Sequence, residues 1–315
     1  MRQFPIGLLL MLGGVACAQG YPDKPIRVLV PFAAGSGTDI LARIVTEELR
    51  TAMGAHFVID NRAGASAQIA AELAAKANPD GYTLFLSTNT PHSANPFLFK
   101  KLNYDPVKDF SAVSRLIYYA FILVVNPNSG IKTVPELIAY VKANPGKTSY
   151  AFGNSTGQVN GAYFVHAAKL DSLAVPYKST PPAMTDIIGG QVHYMFVDVA
   201  ASQGHVKAGR LRAIGTMSDK RSALLPDLPA VGESVPGFDI TPWAGFFVPA
   251  GTPKAVVSKL SAEIVKAINK PAVNQRLVEM GLEPAPSGPD ELDRFVQQQL
   301  ASWGKKIRDA GIQPE

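Results

Sequence analysis

Apolar positions along this chain alternate between two spacings. A largely apolar run over 26–32, interrupted by Arg27, reads as a buried strand. After Gly35 and Gly37, the residues Leu41, Val45 and Leu49, with Ile40 and Ile44 beside them, recur at the spacing of one helix face. A strand over 56–59, an alanine-rich helix over 68–77 and a strand over 83–86, entered through the turn Asn78-Pro79-Asp80-Gly81, continue the alternation. Strand–helix units this closely spaced predict a parallel α/β sheet. An apolar strand over 118–125, closed by Asn126-Pro127-Asn128, opens a second series. There, helices over 134–143, 158–170, 183–188 and 202–208 alternate with strands over 148–152, 173–175, 194–197 and 212–216. A proline-rich segment over 225–236 leads to an apolar strand over 243–248. Beyond Pro253 the pattern is helical, with Val256, Leu260 and Ile264 marking one helix and Leu292, Val296, Leu300, Trp303 and Ile307 the last.

The strands at 118–125 and 243–248 bracket the second series, so the chain crosses into a second α/β unit and returns. The expectation is an α/β protein of two lobes joined by a hinge of crossing strands. Lobe 1 is residues 21–120 plus 245–315, and lobe 2 is 121–244.

Composition changes the picture mainly at the N-terminus. A cationic start at Arg2, an apolar run over 6–15 and Ala16-Cys17-Ala18 have the pattern of a secretory leader over 1–18, cleaved near Ala18. That run is shorter than the ~20 residues needed to cross a bilayer, which predicts an exported, soluble mature chain. Cys17 is the one cysteine of the sequence and leaves with the leader, so neither disulfides nor thiol chemistry are expected. Gly14 stands three residues before Cys17, where a lipoprotein signal wants a bulky aliphatic. The net charge of +5 falls to +4 without Arg2, with no concentrated basic run, which argues against nucleic acid as a partner. The histidines form neither a His-Glu-x-x-His pattern nor a close cluster, so no metal is expected.

The segment Phe32 to Asp39 carries the candidate chemistry. A strand running through a glycine turn into a helix aims bare N–H groups and a helix N-terminus at one point, a site for an anion. With export, this favours a receptor for a small carboxylate over an enzyme. Two other readings compete. Gly153-Asn154-Ser155-Thr156-Gly157 matches the nucleophile elbow of α/β-hydrolases, with Asp198 and His205 following in the right order, although no His-Gly-Gly oxyanion segment accompanies it. Gly35-x-Gly37 with Asp60 at the end of the next strand suggests a dinucleotide site, but Ile40 stands where its third glycine belongs. No cofactor is expected.

Several blocks resemble, in order, the signature segments of the Bug receptors, the periplasmic substrate-binding proteins of tripartite tricarboxylate transporters. They are Pro31-Phe32-Ala33-Ala34-Gly35-Ser36-Gly37-Thr38-Asp39, Asn61-Arg62-Ala63-Gly64-Ala65, Asn78-Pro79-Asp80-Gly81, Pro176-Tyr177-Lys178, Gly189-Gly190-Gln191-Val192, Lys207-Ala208-Gly209-Arg210, Leu225-Pro226-Asp227-Leu228-Pro229 and Val248-Pro249-Ala250-Gly251-Thr252-Pro253. The resemblance implies a type II-like, Venus-flytrap periplasmic binding protein. Such a protein captures a small carboxylate (a di- or tricarboxylate, an amino acid or an aromatic acid) between its lobes and delivers it, as a monomer, to an integral-membrane permease.

It also implies that two loops hold the ligand's proximal carboxylate, partly through water. Their matching positions here are Phe32, Ala34, Gly35, Ser36, Gly37, Thr38 and Asp39 in the first and Asn154, Ser155, Thr156 and Gln158 in the second. Ser87, Thr88 and Asn89, placed after the third strand, and Asp198, at the end of a strand in lobe 2, complete the candidate set. Asp39 reads equally as a helix cap, and repulsion keeps it from touching a carboxylate directly. Tyr118, Tyr119, Phe121, Tyr177 and Trp243 near the hinge suit an aromatic acid or simple packing. The chain departs from the family pattern at Ser66 and Ala67, where relatives place glycines, and in its amide-rich second loop.

Overall fold

The computed structural model describes residues 20–238 and 240–315; the expected leader over 1–18, with Cys17, lies outside the described residues. Strand β1 (Ile26–Val30) runs into helix α1 (Gly37–Met53), followed by β2 (Phe57–Asn61), α2 (Gln68–Ala75) and β3 (Thr83–Thr88). A π-helical turn over Thr90–Ala94 and the short α3 (Asn95–Leu98) lead to β4 (Phe110–Tyr119). After the single residue Ala120 the chain enters β5 (Phe121–Val125), then α4 (Val134–Ala143), β6 (Thr148–Phe152), α5 (Ser155–Ala167), β7 (Ser172–Pro176), α6 (Thr180–Ile188), β8 (Tyr194–Asp198), α7 (Val199–Lys207) and β9 (Arg212–Thr216). The return is through β10 (Trp243–Pro249), followed by α8 (Lys254–Asn269), α9 (Pro271–Glu279), β11 (Leu282–Pro284) and α10 (Pro289–Asp309).

Two mixed sheets result, one ordered β11-β4-β10-β3-β1-β2 and the other β7-β6-β8-β5-β9. β1 pairs in parallel with β2 and β3, and β6 with β7 and β8, as strand–helix alternation requires. The crossing strands run against them: β10 is antiparallel to β3 and β4, and β5 is antiparallel to β8 and β9.

Three expectations are corrected here. The apolar run over 118–125 is not one strand but the end of β4 and the whole of β5, in different sheets. Its first part begins at Phe110, where Ser111, Ser114 and Arg115 break the apolar pattern. Ser114 is fully buried, and Arg115 bonds the Ala285 carbonyl and Glu291 while lying over the rings of Tyr118 and Phe295. The C-terminal stretch is not wholly helical, because β11 pairs with the edge of β4. Ser87 and Thr88 belong to β3 itself, and only Asn89 lies beyond it.

Both faces of the first sheet are covered. Along β1, Ile26, Val28 and Val30 join one apolar cluster and Leu29 another, all fully buried, as expected for a parallel strand with helices on each side. The face of α1 marked by Leu41, Val45 and Leu49 is buried, as are Val256, Leu260 and Ile264 of α8. Trp303 and Ile307 of α10 pack with Ala94 and Leu98 of their own lobe and with Val159 of α5 in the other, so an apolar seam also joins the lobes.

Before α2, Ala65 (φ 45), Ser66 (φ 49) and Ala67 (φ 70) occupy left-handed backbone in succession, which costs a residue bearing a Cβ ~1–2 kcal/mol. The Ser66 carbonyl accepts a 2.8 Å bond from Asn95 Nδ2, which holds this turn against the π-helical segment. Ser66→Gly is therefore expected to stabilise the protein by about 1 kcal/mol, net of glycine's greater freedom when unfolded. The shift should appear in the urea midpoint, with no gain for Ser66→Ala; equal midpoints for both variants would contradict the strain.

Candidate ligand-binding cleft

The parallel strands of both sheets end at the seam between the lobes, so the helices that follow them start there. Ser36 caps α1, its Oγ accepting from Asp39 N at 3.3 Å; Asn154 caps α5, its Oδ1 accepting from Gly157 N at 2.9 Å; Asp198 caps α7, its Oδ1 accepting from Ala201 N at 2.8 Å. Three N-termini from two lobes thus face a common space, which their partial positive charges favour for an anion.

Most N–H groups of the first loop are already committed. Ser36 N donates to the Ala33 carbonyl, Gly35 N to Asp39 Oδ2, and Ala33 N across the seam to Ser179 Oγ. Among the described residues, the first-turn N–H groups of Gly37 and Thr38 in α1 and of Thr156 in α5 are left without an acceptor.

Asp39 organises this loop from within. Its carboxylate accepts from Gly35 N, from Arg43 through both oxygens and from Asn61 Nδ2. Burial alone would raise its pKa, but the Arg43 hydrogen bonds, with those from Gly35 and Asn61, hold it below the usual carboxylate range. All of these partners lie within one lobe, so Asp39 positions donors and does not line the cleft.

Across the seam the rims meet side chain to side chain. Asn89 Nδ2 donates to Ser155 Oγ at 3.3 Å and to Thr156 Oγ1 at 3.0 Å, Thr90 Oγ1 and Ser155 Oγ share a 2.8 Å bond, and Ser155 N reaches Thr90 Oγ1 at 3.4 Å. On one side of the seam, Thr38 Oγ1 meets the Tyr119 hydroxyl at 3.0 Å. Gly153 is required by close approach, since a Cβ there would sit 2.2 Å from the Ser179 carbonyl carbon. The space left between the rims, open on one side, is about 20 Å³, lined by Phe32, Thr38, Thr88, Asn89, Thr90, Tyr119, Phe121, Asn154, Thr156, Asp198 and Pro242. That volume suits about one water molecule, so a larger guest must part the lobes. A cavity of about 450 Å³ shares Tyr119, Phe121 and Pro242 with this cleft and continues along the hinge past Tyr118, Met217 and Leu224.

Of the residues expected at the site, Phe32, Thr38, Thr88, Asn89, Asn154, Thr156 and Asp198 line the cleft, Ser155 joins the bonds that close it, and Gly37 lies against Asp198. Ala34, Gly35, Ser36, Asp39, Ser87 and Gln158 are not among its lining residues. Ala34 and Gly35 are solvent-exposed, Gln158 is half-buried along α5, and Ser36 is spent as a cap. Ser87 turns its Oγ to Nδ1 of His92 at 2.6 Å. Burial in an aromatic nest, with Phe247 stacked at 4.0 Å, pushes the pKa of His92 down to about 3, so this ring stays neutral.

Sequence reasoning missed Thr90, Pro242 and Ser179, and left Tyr119 and Phe121 open between ligand contact and packing. Ser179 carried a usable signal, a serine just before Thr180-Pro181-Pro182 at a helix start after a strand. The nucleophile-elbow constellation is not assembled. Ser155 bonds Asn89 and Thr90, Asp198 caps α7, and His205 lies near the far end of that helix beside Lys207 and Arg210.

Two α/β lobes, two crossing strands and facing helix N-termini define a two-lobed solute-binding protein of the periplasmic type. Residues 41–312 match the tripartite tricarboxylate transporter family receptor (TctC), and the chain belongs to that family. Three solved structures are similar over essentially their whole length. An R. palustris protein solved with adipate is 32% identical, with a TM-score of 0.91 over 94% of this chain and 100% of its own. The periplasmic binding protein BugD is 32% identical, with a TM-score of 0.89 over 94% and 100%. MatC from Rhodopseudomonas palustris, solved with bound malate, is 30% identical, with a TM-score of 0.84 over 91% and 100%.

Asp198 gives a test of this geometry. Burial raises its carboxyl to about 6, opposed only in part by the Ala201 N–H. A carboxyl that is the stronger acid when unfolded favours the fold while protonated, below about pH 4, and loses that contribution as pH rises through about 6. Asp198→Asn keeps a capping oxygen, so it should exceed the wild type by roughly 2–3 kcal/mol at pH 8 and match it at pH 4, in urea unfolding. A difference independent of pH would contradict the buried charge.

Gly37 gives a second test. A Cβ there would stand 2.1 Å from Asp198 Oδ1, across the seam. Gly37→Val should leave the far-UV spectrum native and weaken the binding of any cleft ligand at least tenfold, by calorimetric titration. Unchanged affinity would show that closure at this point is unnecessary.

Proposed function

We propose that this protein is an extracytoplasmic receptor that captures a small carboxylate between its lobes and delivers it to an integral-membrane permease, without chemistry of its own. The lobes would be residues 21–120 plus 245–315 and residues 121–244, hinged at Ala120 and at Pro242–Trp243. The observation that carries the reading is the meeting of the α1 and α5 N-termini, with unpaired first-turn N–H groups at Gly37, Thr38 and Thr156. A carboxylate entering there exchanges neutral cross-seam hydrogen bonds for charge-assisted ones, each worth ~1.5–3 kcal/mol net against ~0.5–1.5. A ligand that touches both lobes biases the closed form by that difference. The adipate and malate seen in two relatives support a carboxylate as the guest.

The leader pattern and the relatives' periplasmic character support export across the inner membrane, with the mature chain acting as a monomer. A hydrolytic role has no support in the geometry, because Ser155 faces hydroxyl and amide partners. A thermal-shift screen of mono- and dicarboxylates tests the proposal. A true ligand at 100 times its dissociation constant should stabilise the protein by ~2.7 kcal/mol. Ester turnover abolished by Ser155→Ala, with no carboxylate shifting the melting temperature, would overturn it.

A further inference from the structure

The cleft has an unequal charge inventory. Its lining holds hydroxyls, amides and aromatic rings, and a single side chain that is charged at neutral pH, Asp198. That residue is 4% exposed. Its one side-chain hydrogen bond to another residue is the capping bond from Ala201 N, and among the described residues no lysine, arginine or histidine pairs with it. The groups facing it are the backbone of Gly37 and, nearby, the Tyr119 hydroxyl, which is itself bonded to Thr38. Capping accounts for an oxygen here but not for a charge, since asparagine caps a helix equally well. A buried carboxylate without a cation is costly.

Because Gly37 has no side chain, parting the lobes opens a slot with the free amides of α1 on one wall and the Asp198 carboxylate on the other. A ligand bearing only carboxylates finds one favourable wall and one repulsive one. A ligand bearing a carboxylate and an ammonium fits both, since the ammonium offers three donors and a full positive charge to Asp198.

We infer that the cleft selects an amino acid, with the ligand carboxylate at the helix N-termini and its ammonium group paired with Asp198. The inference rests on the carboxylate-receptor reading and narrows it. Closure over such a ligand neutralises the charge of the cleft lining that has no cationic partner among the described residues, which couples capture to closing.

Calorimetric titration of the purified receptor with matched pairs tests this: L-glutamate against glutarate, L-aspartate against succinate, and 4-aminobutyrate against butyrate. The wild type should bind the ammonium-bearing member of at least one pair tenfold or more tightly than its partner. Asp198→Asn should abolish that preference, either by weakening the amino acid or by strengthening the plain acid. The variant's fold is checked by its native circular dichroism, and the wild-type selectivity stands as a test on its own. If the plain acids bind as tightly as the amino acids or more so, or if the preference survives Asp198→Asn, the carboxylate receptor stands and the role of Asp198 falls. If neither kind of acid binds, both readings fall together.

Discussion

A single residue, Ala120, carries the chain from the first sheet into the second, and the rest of the architecture is arranged around its backbone. Ala120 N donates to the Gly281 carbonyl at 2.9 Å, and the Ala120 carbonyl accepts from Val199 N at 3.0 Å, so a single residue is anchored in both lobes. On either side, Tyr119 N reaches the Pro242 carbonyl and Met217 N reaches that of Phe121. These bonds use no side chains, so the crossing is held by main-chain pairing while the chain on each side continues into a sheet. β4 and β5 then set the register of β10, β8 and β9. The parallel strands of both sheets end toward each other, and their helices begin at the seam. In open α/β sheets, ligand sites lie beyond the carboxyl ends of the strands; here two such ends share one site.

The seam is held by two kinds of contact with different consequences. The apolar part, Trp303 and Ile307 against Val159, is non-directional. The polar part, Asn89 and Thr90 against Ser155 and Thr156, consists of neutral hydrogen bonds that a guest or water can replace at little net cost. Replaceable polar contacts over a main-chain hinge suit domains that open and close about a few residues. Asp198 is the exception, a charge kept at the centre of the seam where a neutral residue would cost less. Stability given up at one position of a cleft points to the cleft's use.

The fold was legible where one local rule decided it. β1, α1, α4 and β6 follow from periodicity and turn chemistry alone, and the loop at Phe32 to Asp39 was recognisable as a strand–turn–helix. The break at Ala120 was not legible, because the apolar run passes through it unchanged and only the partner strands differ. β4 was hidden because Arg115 finds its partners in Glu291 and the Ala285 carbonyl, far along the chain. Within the site, strand ends and helix caps pointed to Thr88, Asn89, Asn154 and Thr156. The same logic overcounted the first loop, where Asp39 and Ser36 consume donors locally. Ser179 and Pro242 come from segments whose nearness to the cleft is a product of tertiary folding.

In the proposed function, free amides at two facing helix N-termini grip a carboxylate. A crystal structure with a bound carboxylate tests it most directly. Carboxylate oxygens are expected within hydrogen-bonding reach, directly or through one water, of Gly37 or Thr38 on one side and of Thr156 on the other. A ligand seated in the hinge cavity beside Tyr118 and Met217, or held by one lobe alone, would contradict it.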